Sequence, residues 1–230
     1  MKDVIIACDF ASREELNKFL EAFGEERPYV KVGMQLFYAE GAPLIKELKA
    51  RGHKLFLDLK LYDIPNTVAS AIKVLGGLGV DMINVHAAGG SEMMKAAKEA
   101  VQGFAQKPLL IAVTQLTSTS EELMKRELLI EKSLDEVVLA YAKNARDCGL
   151  DGVVCSAMEA KKIHEHIGED FCTVTPGIRF AGGTADDQVR VMTPEQAKKE
   201  GADFIVVGRA ITGAEHPLEA YQKCLAEFLG

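Results

Sequence analysis

Short apolar runs and amphipathic segments alternate along the whole chain. The apolar runs are typical of buried parallel strands, and their starts recur roughly every 20 to 30 residues, the length of one strand–helix–strand step. The predicted strands cover residues 4–10, 29–37, 54–63, 81–89, 109–117, 151–157, 171–179 and 203–211.

The segments between these runs have the period of amphipathic helices. The predicted helices cover residues 12–23, 42–52, 66–79, 91–104, 134–149, 157–168, 193–201 and 217–229, with an extra helix within 120–133. Thr193, Pro194 and Gln196 form the capping pattern of a helix start, whereas Gly52 and Gly149 are placed as residues just past helix ends.

Eight strand–helix units in a chain of 230 residues predict a closed (β/α)8 barrel, the TIM barrel. An open doubly wound sheet is the alternative, but it more typically carries a glycine fingerprint after its first strand, and "CDFASREE" has none. We find no linker or low-complexity tract. We therefore expect one domain over residues 1–230.

The composition narrows the class of partner. Hydrophobic residues make up 48% of the chain, enough for a large core, and the net charge of −7 argues against a broad basic surface for nucleic acid. A few cations in a cleft could still bind a small anion. The apolar run near the start is too short for a signal sequence or a membrane span. We expect a cytoplasmic protein without membrane or nucleic-acid partners.

The cysteines and histidines give no sign of a metal site. The chain has an odd number of cysteines and no CxxC pair, and no His, Cys and carboxylate cluster has ligand spacing. We expect reduced, buried thiols and no bound metal, with His164 and His166 solvated on a polar helix face. The five cysteines are Cys8, Cys148, Cys155, Cys172 and Cys224.

Charged residues at the end of the third predicted strand, "LFLDLKLYD", point to a site. Asp58 and Lys60 share the inward face with Phe56, because side chains of a strand alternate, and Asp63 follows. Unpaired charges are costly to bury, so the alternatives are a structural ion pair or a catalytic site at the C-terminal rim of the barrel. Polar residues also gather at the ends of the other predicted strands, which favours a catalytic site over a structural ion pair. These residues are Asp9, Lys31, Asn84, His86, Thr114, Gln115, Thr117, Ser156, Arg179 and Arg209.

The last two rim loops predict a phosphate site under a lid. "TPGIRFAGGTADDQVRVMTPEQ" leaves about 15 residues between the seventh strand and its helix, a length typical of lids or of disordered segments. After the eighth strand, Gly208 and Arg209 precede a short helical turn, where N–H groups and a guanidinium suit a phosphate. A glycine that serves packing alone is the alternative.

Three motifs, "DLKLYDIPNT", "TPGIRFAGGTADDQVR" and "VVGRAITG", together with Asp9 and Lys31, resemble the bacterial orotidine 5′-phosphate decarboxylase family. The resemblance extends from Asp9 to Thr212. The Asp-x-Lys-x-x-Asp core is shared with a wider suprafamily of decarboxylases and aldolases, and the Thr-Pro-Gly-Ile-Arg loop is more specific. The resemblance implies cofactor-free decarboxylation of orotidine 5′-monophosphate to UMP in pyrimidine synthesis, by a homodimer.

The resemblance also implies a role for each matching residue. Lys60 would donate a proton to C6, Asp58 would lie beside the departing carboxylate, and Asp63 would complete the partner's site; Lys31 belongs to the same charged set. The implied substrate contacts are Asp9, Lys31 and the partner subunit's Thr67 at the ribose, Thr117 near the pyrimidine, Gln188 between base and phosphate, Arg179, Gly208 and Arg209 at the phosphate, and Pro176.

The chemistry explains why a lysine is needed. Loss of CO₂ from C6 leaves electrons in an orbital that the ring cannot delocalise, and the sequence has no pyridoxal or thiamine motif. A cation at that carbon must then stabilise the charge. At about 4 Å and an effective dielectric near 20, one such pair contributes roughly 4 kcal/mol. Fixed charges and distant binding must supply the rest.

Two other functions fit parts of the pattern. A hexulose-phosphate synthase or a ketogulonate-phosphate decarboxylase of the same suprafamily would use Mg²⁺ and an enediolate. A non-catalytic barrel that senses a phosphorylated metabolite would bind UMP without turning over substrate.

Overall fold

A computed structural model of the chain describes residues 2–181 and 191–230. Its strands are all parallel and pair in chain order, and the last pairs with the first, so that the sheet closes into a barrel. The predicted (β/α)8 barrel is confirmed, and the open sheet is wrong. The strands are β1 (Asp3–Ala7), β2 (Tyr29–Gly33), β3 (Leu55–Leu61), β4 (Met82–His86), β5 (Leu109–Val113), β6 (Gly152–Val154), β7 (Cys172–Thr175) and β8 (Phe204–Val207).

The helices surround the barrel and include the predicted extra one, α5. None of those in the described residues is both long and apolar enough to cross a membrane. The helices are α1 (Arg13–Glu21), α2 (Met34–Ala50), α3 (Pro65–Gly76), α4 (Gly90–Gln102), α5 (Glu121–Glu127), α6 (Leu134–Asp147), α7 (Ala157–Ile167), α8 (Pro194–Lys199), α9 (Arg209–Thr212) and α10 (Pro217–Leu229).

Two apolar layers stabilise the barrel, one on each face of the sheet. The inner layer is small and includes Tyr29, Phe56 and Phe204. The outer layer, between sheet and helices, is much larger and contains Leu57 and Leu59. The alternation predicted for β3 is therefore confirmed for these residues. The same alternation directs the side chains of Asp58 and Lys60 towards the barrel mouth.

The predicted second strand, residues 29–37, is too long. β2 ends at Gly33, and α2 begins at Met34. Periodicity does not separate a strand from a buried helix in a short apolar run such as this one. Within α2 the chain turns at Gly41, whose φ of 66° lies in the left-handed region that glycine favours. The predicted helix 42–52 corresponds to the part of α2 after this turn.

Other predicted strands also extend too far at their C-terminal ends. β5 ends at Val113 instead of residue 117, and β8 ends at Val207, with α9 beginning at Arg209. After both strands the chain continues into a rim loop, which after β8 contains the short helix α9. Because these loops return to the barrel mouth, they keep some apolar residues and look like strand in sequence.

The structure contradicts the prediction for one histidine and supports the prediction that the cysteines are reduced thiols. His166 is exposed, but His164 is buried, with Nε2 3.1 Å from Asp203 Oδ2. The prediction that His164 is solvated is wrong, because this side of α7 packs against Asp203, just before β8 begins. All five cysteines are free thiols, and four are buried; Cys172 is only half-buried. Burial raises the pKa of Cys172 to about 12, so it is a thiol at neutral pH.

Candidate active site

Lys60 lies at an irregular point of β3. Its Nζ donates to Asp58 Oδ1 at 2.7 Å, which confirms that the two side chains share one face. Between Leu57 and Leu61, four steps of β3 stand opposite two steps of β4. The φ of Lys60 is 50°, in the left-handed region, which costs a residue with a side chain about 1–2 kcal/mol. Such strain is characteristic of functional sites, where a bulge re-aims a side chain.

Asn84 holds this irregular segment in place. Its Oδ1 accepts from the Lys60 backbone N–H at 2.8 Å, and its Nδ2 donates to Asp58 Oδ1 at 2.7 Å. The residue is fully buried on β4. The sequence marked Asn84 as a polar strand end but gave it no role. Its position two residues after inward-facing Met82 was the signal, since an amide on a buried inward face needs partners.

Lys31 connects the charges of β2 with those of β1 and β3. Its ammonium lies 2.9 Å from Asp9 Oδ1 and 3.3 Å from Asp58 Oδ2, and its side chain is only 9% exposed. Burial opposes its charge most strongly, but Asp58 and Asp9 together outweigh burial and raise the pKa of Lys31. We call Asp9, Lys31, Asp58 and Lys60 the charge array.

Asp58 is the centre of the charge array. Burial would raise the pKa of this carboxyl, but Lys31, Lys60 and the hydrogen bonds from Lys60 and Asn84 outweigh burial and lower it. Asp58 is therefore ionised at neutral pH. Charges held by fixed partners need little reorganisation when a new charge forms beside them.

Within the described residues, Asp63 and Thr67 form no ion pair or hydrogen bond with the charge array of their own chain. Both are exposed, and Asp63 Oδ1 accepts from the Ile64 N–H at 2.6 Å. Among residues 2–181 and 191–230, Asp63 has no ion pair within 4 Å. Exposed apolar residues flank it, with Tyr62 64% and Ile64 67% exposed.

The predicted phosphate residues follow two adjacent strands. β7 pairs with β8, so the loops that follow these strands leave the barrel side by side. Half-buried Pro176 directly follows β7, and Arg179 comes three residues later. A short bridge between Ile178 and Met192 closes the base of this loop, and the Arg179 N–H donates to the Met192 carbonyl at 3.0 Å.

The loop after β8 contains the predicted short helical turn, α9. Gly208 precedes α9, and its carbonyl accepts from the Ile211 and Thr212 N–H groups at 2.8 and 3.0 Å. Arg209 is exposed at the first position of this helix. Half-buried Thr117 lies four residues past the end of β5. Gln188 and the rest of 182–190 lie outside the described residues.

His86 ends β4 beside the charge array. Its Nδ1 accepts from the Ala88 N–H at 3.2 Å, so Nε2 carries the proton. Burial, and then Lys60, lowers the pKa of His86, which keeps the ring neutral at pH 7. The ring stacks on Tyr62 with centroids 5.8 Å apart. This contact braces the segment that carries Asp63.

Sequence comparison identifies the family of this fold and site. Residues 2–224 match the Orotidine 5′-phosphate decarboxylase / HUMPS family. The chain belongs to this family. Among curated proteins of that name, the chain is 56% identical to the orotidine 5′-phosphate decarboxylase of Bacillus cytotoxicus and 55% identical to that of Bacillus cereus. Both alignments cover 100% of this chain and 98% of the relative.

Solved members of the orotidine 5′-phosphate decarboxylase family share the fold. The crystal structure of the enzyme from Lactobacillus acidophilus superposes with a TM-score of 0.90 at 45% identity and covers 100% of both chains. The enzyme from Pyrococcus horikoshii superposes with a TM-score of 0.78 at 25% identity over 99% of each chain. The family resemblance that the motifs indicated is confirmed.

Proposed function

We propose that this chain is a cytoplasmic, single-domain orotidine 5′-monophosphate decarboxylase that works as a homodimer without a cofactor. The observation that carries the proposal is the charge array, in which two aspartates and two lysines alternate from Asp9, just after β1, to the residues of β2 and β3. Membership of the decarboxylase family supports the same reaction. Family membership does not assign a role to each residue, so the individual roles form part of the proposal.

The order of the strands matches the order of groups in the substrate. Arg179 and Arg209 follow β7 and β8. Next in the barrel, Asp9 follows β1, Lys31 lies on β2, and Lys60 lies on β3. A nucleoside 5′-phosphate laid across the mouth would therefore meet phosphate, ribose and base contacts in sequence. Thr117, after β5, would face the far edge of the pyrimidine.

In the proposed reaction the C6–carboxylate bond breaks, CO₂ leaves, and the electron pair stays on C6. The Lys60 ammonium stabilises this charge and then transfers a proton to the same carbon, which gives UMP. The Asp58 carboxylate fixes the Lys60 nitrogen at 2.7 Å before the reaction begins. Asp58 would also repel the substrate carboxylate, an effect that disappears as CO₂ departs.

Binding at the phosphate end would support the reaction from a distance. The arginines after β7 and β8 would hold the phosphate, and Gln188 in the β7 loop would bridge phosphate and base. Binding energy from a group that does not react can be used to position the reacting groups. The bridge between Ile178 and Met192 holds the two ends of the β7 loop together.

The dimer would place Asp63 of the partner subunit next to Lys60. Asp63 is exposed and forms no pair with the charge array of its own chain within the described residues. The exposed Tyr62 and Ile64 beside it are large apolar groups, which an interface would bury. The partner subunit's Thr67 would reach the ribose by the same route.

An ultraviolet assay of orotidine 5′-monophosphate, with and without EDTA, tests the function. We expect its absorbance to change at an enzymatic rate and the rate to stay within about twofold after chelation, because Lys60 performs the chemistry of a cofactor-free decarboxylase. Loss of activity with EDTA and recovery with Mg²⁺ would favour the rival phosphosugar enzymes. UMP binding without turnover would favour a sensor.

Replacing Arg209 tests the phosphate end. We expect Arg209→Ala to raise KM for orotidine 5′-monophosphate and lower kcat/KM about 10²-fold, because a charge-assisted contact to the phosphate is lost. Steady-state kinetics measure both constants. The matched control is Arg51→Ala, which should change neither KM nor kcat/KM. Arg51 donates a hydrogen bond to Asn17 and so joins α2 to α1. Unchanged kinetics in Arg209→Ala would remove the assignment.

A further inference from the structure

Gly33 lies on the inward face of β2, one level above Lys31. Tyr29 belongs to the inner layer of the barrel, and alternation places Lys31 and then Gly33 on the same face. Gly33 pairs with Asp58 of β3. On the other side, Ala7 of β1 pairs with Lys31, so the same register brings Asp9 level with Gly33.

The rim therefore has one inward position without a side chain between two carboxylates. A Cβ added at Gly33 would lie 2.9 Å from Asp9 Oδ1 and 3.2 Å from Lys31 Nζ. Those atoms occupy the space that any larger residue would fill. The Lys31 ammonium reaches this space from below and spans from Asp9, at 2.9 Å, to Asp58, at 3.3 Å.

The backbone does not require a glycine at this position. Gly33 has φ −90° and ψ −176°, an extended conformation that any residue adopts. Backbone strain therefore does not explain why a glycine stands at this position. The limited space above its Cα explains it.

We infer that Gly33 is a positioning residue of the charge array: its missing side chain forms the slot in which the Lys31 ammonium joins Asp9 to Asp58. This inference deepens the proposed function and rests on it, because the array acts on substrate only in that reaction. A methyl group in the slot would clash with the Asp9 carboxylate at 2.9 Å and crowd the Lys31 ammonium at 3.2 Å, and apart from its chain neighbours it meets no backbone atom of the described residues within 4 Å. Asp9, with 59% of its side chain exposed, is free to move outward, whereas Lys31 is held by burial.

Gly33→Ala in the full-length protein is the direct test. We expect kcat/KM for orotidine 5′-monophosphate to fall about 10- to 100-fold, because displacements near 1 Å at positioning groups have effects of that size. The melting temperature should stay within about 3 °C, since flexible side-chain ends absorb the clash. Gly103→Ala is the matched control: its Cβ would lie 3.8 Å from the nearest atom, the Ala100 carbonyl oxygen, and activity should not change.

A double-mutant cycle separates positioning from general damage. In an Asp9→Ala background the displaced carboxylate is absent, so adding Gly33→Ala should reduce kcat/KM less than about 3-fold further. Full additivity of the two substitutions would overturn the inference, as would wild-type kinetics in Gly33→Ala alone.

A crystal structure of Gly33→Ala gives a readout that does not depend on activity. We expect the distance from Lys31 Nζ to the Asp9 carboxylate to exceed about 4 Å, the limit of an ion pair. An unmoved pair would overturn the inference. Failure of the wild-type protein to decarboxylate orotidine 5′-monophosphate, with the pair displaced in the variant, would instead count against the proposed function.

Discussion

Lys60→Ala should reduce decarboxylation of orotidine 5′-monophosphate about 10⁴-fold or more. Removing a proton donor typically costs about 10²–10⁴ in rate, and removing a group that stabilises developing charge costs about 10²–10³. Lys60 is assigned both roles at one carbon. The ultraviolet assay under single-turnover conditions measures the chemical step, and isothermal titration with UMP measures binding. We expect UMP to bind the variant measurably, because the phosphate and ribose contacts remain.

Lys54→Ala is the control for Lys60→Ala. Lys54 precedes the same strand but pairs with Asp3 at the opposite end of the barrel, so its loss should leave both rate and binding unchanged. If Lys60→Ala lost UMP binding and melted at a much lower temperature, the buried charges would be a structural ion pair. Retained turnover would remove Lys60 from the mechanism altogether.

The sequence predicts the barrel because each strand and helix carries its own local signal. Apolar runs and capping residues such as Thr193 repeat through the chain, and Thr193 and Gln196 do exchange the expected hydrogen bonds. The ends of strands are less predictable. Residues after Gly33 and Val113 mix apolar and polar character whether they continue a strand, begin a helix or enter a rim loop.

The sequence also predicts which charged residues form the site, but it does not predict their geometry. Alternation along β3 predicts a shared face for Asp58 and Lys60, but it assumes a regular strand. The bulge at Lys60 depends on a hydrogen bond that the Lys60 N–H donates to the side chain of Asn84, 24 residues later. The slot above Gly33 depends on Lys31 of the same strand and on Asp9, which follows the neighbouring strand β1. Contacts of this kind follow from barrel closure, which no local pattern encodes.

The exposed position of Asp63 leads to a test of the dimer and of the shared site together. We expect Asp63→Ala to lower the rate about 10²–10³-fold, because a fixed charge beside Lys60 is lost. Lys60→Ala and Asp63→Ala homodimers would then both be nearly inactive. In a heterodimer of the two, one site would lack both residues, whereas the other would combine Lys60 of one chain with Asp63 of its partner.

A heterodimer purified through two different tags should therefore recover about half of the wild-type rate per dimer, as twofold symmetry requires. A doubly tagged Lys60→Ala dimer, prepared in the same way, is the control and should stay inactive. No recovery in the heterodimer would mean that Asp63 serves its own chain or that the subunits do not share sites. An Asp63→Ala variant with more than about a tenth of wild-type activity would remove Asp63 from the catalytic set, since the loss expected for a fixed charge is larger. Recovery would instead show that the surface around Tyr62 and Ile64 is buried by a partner, because only that contact brings the two residues together.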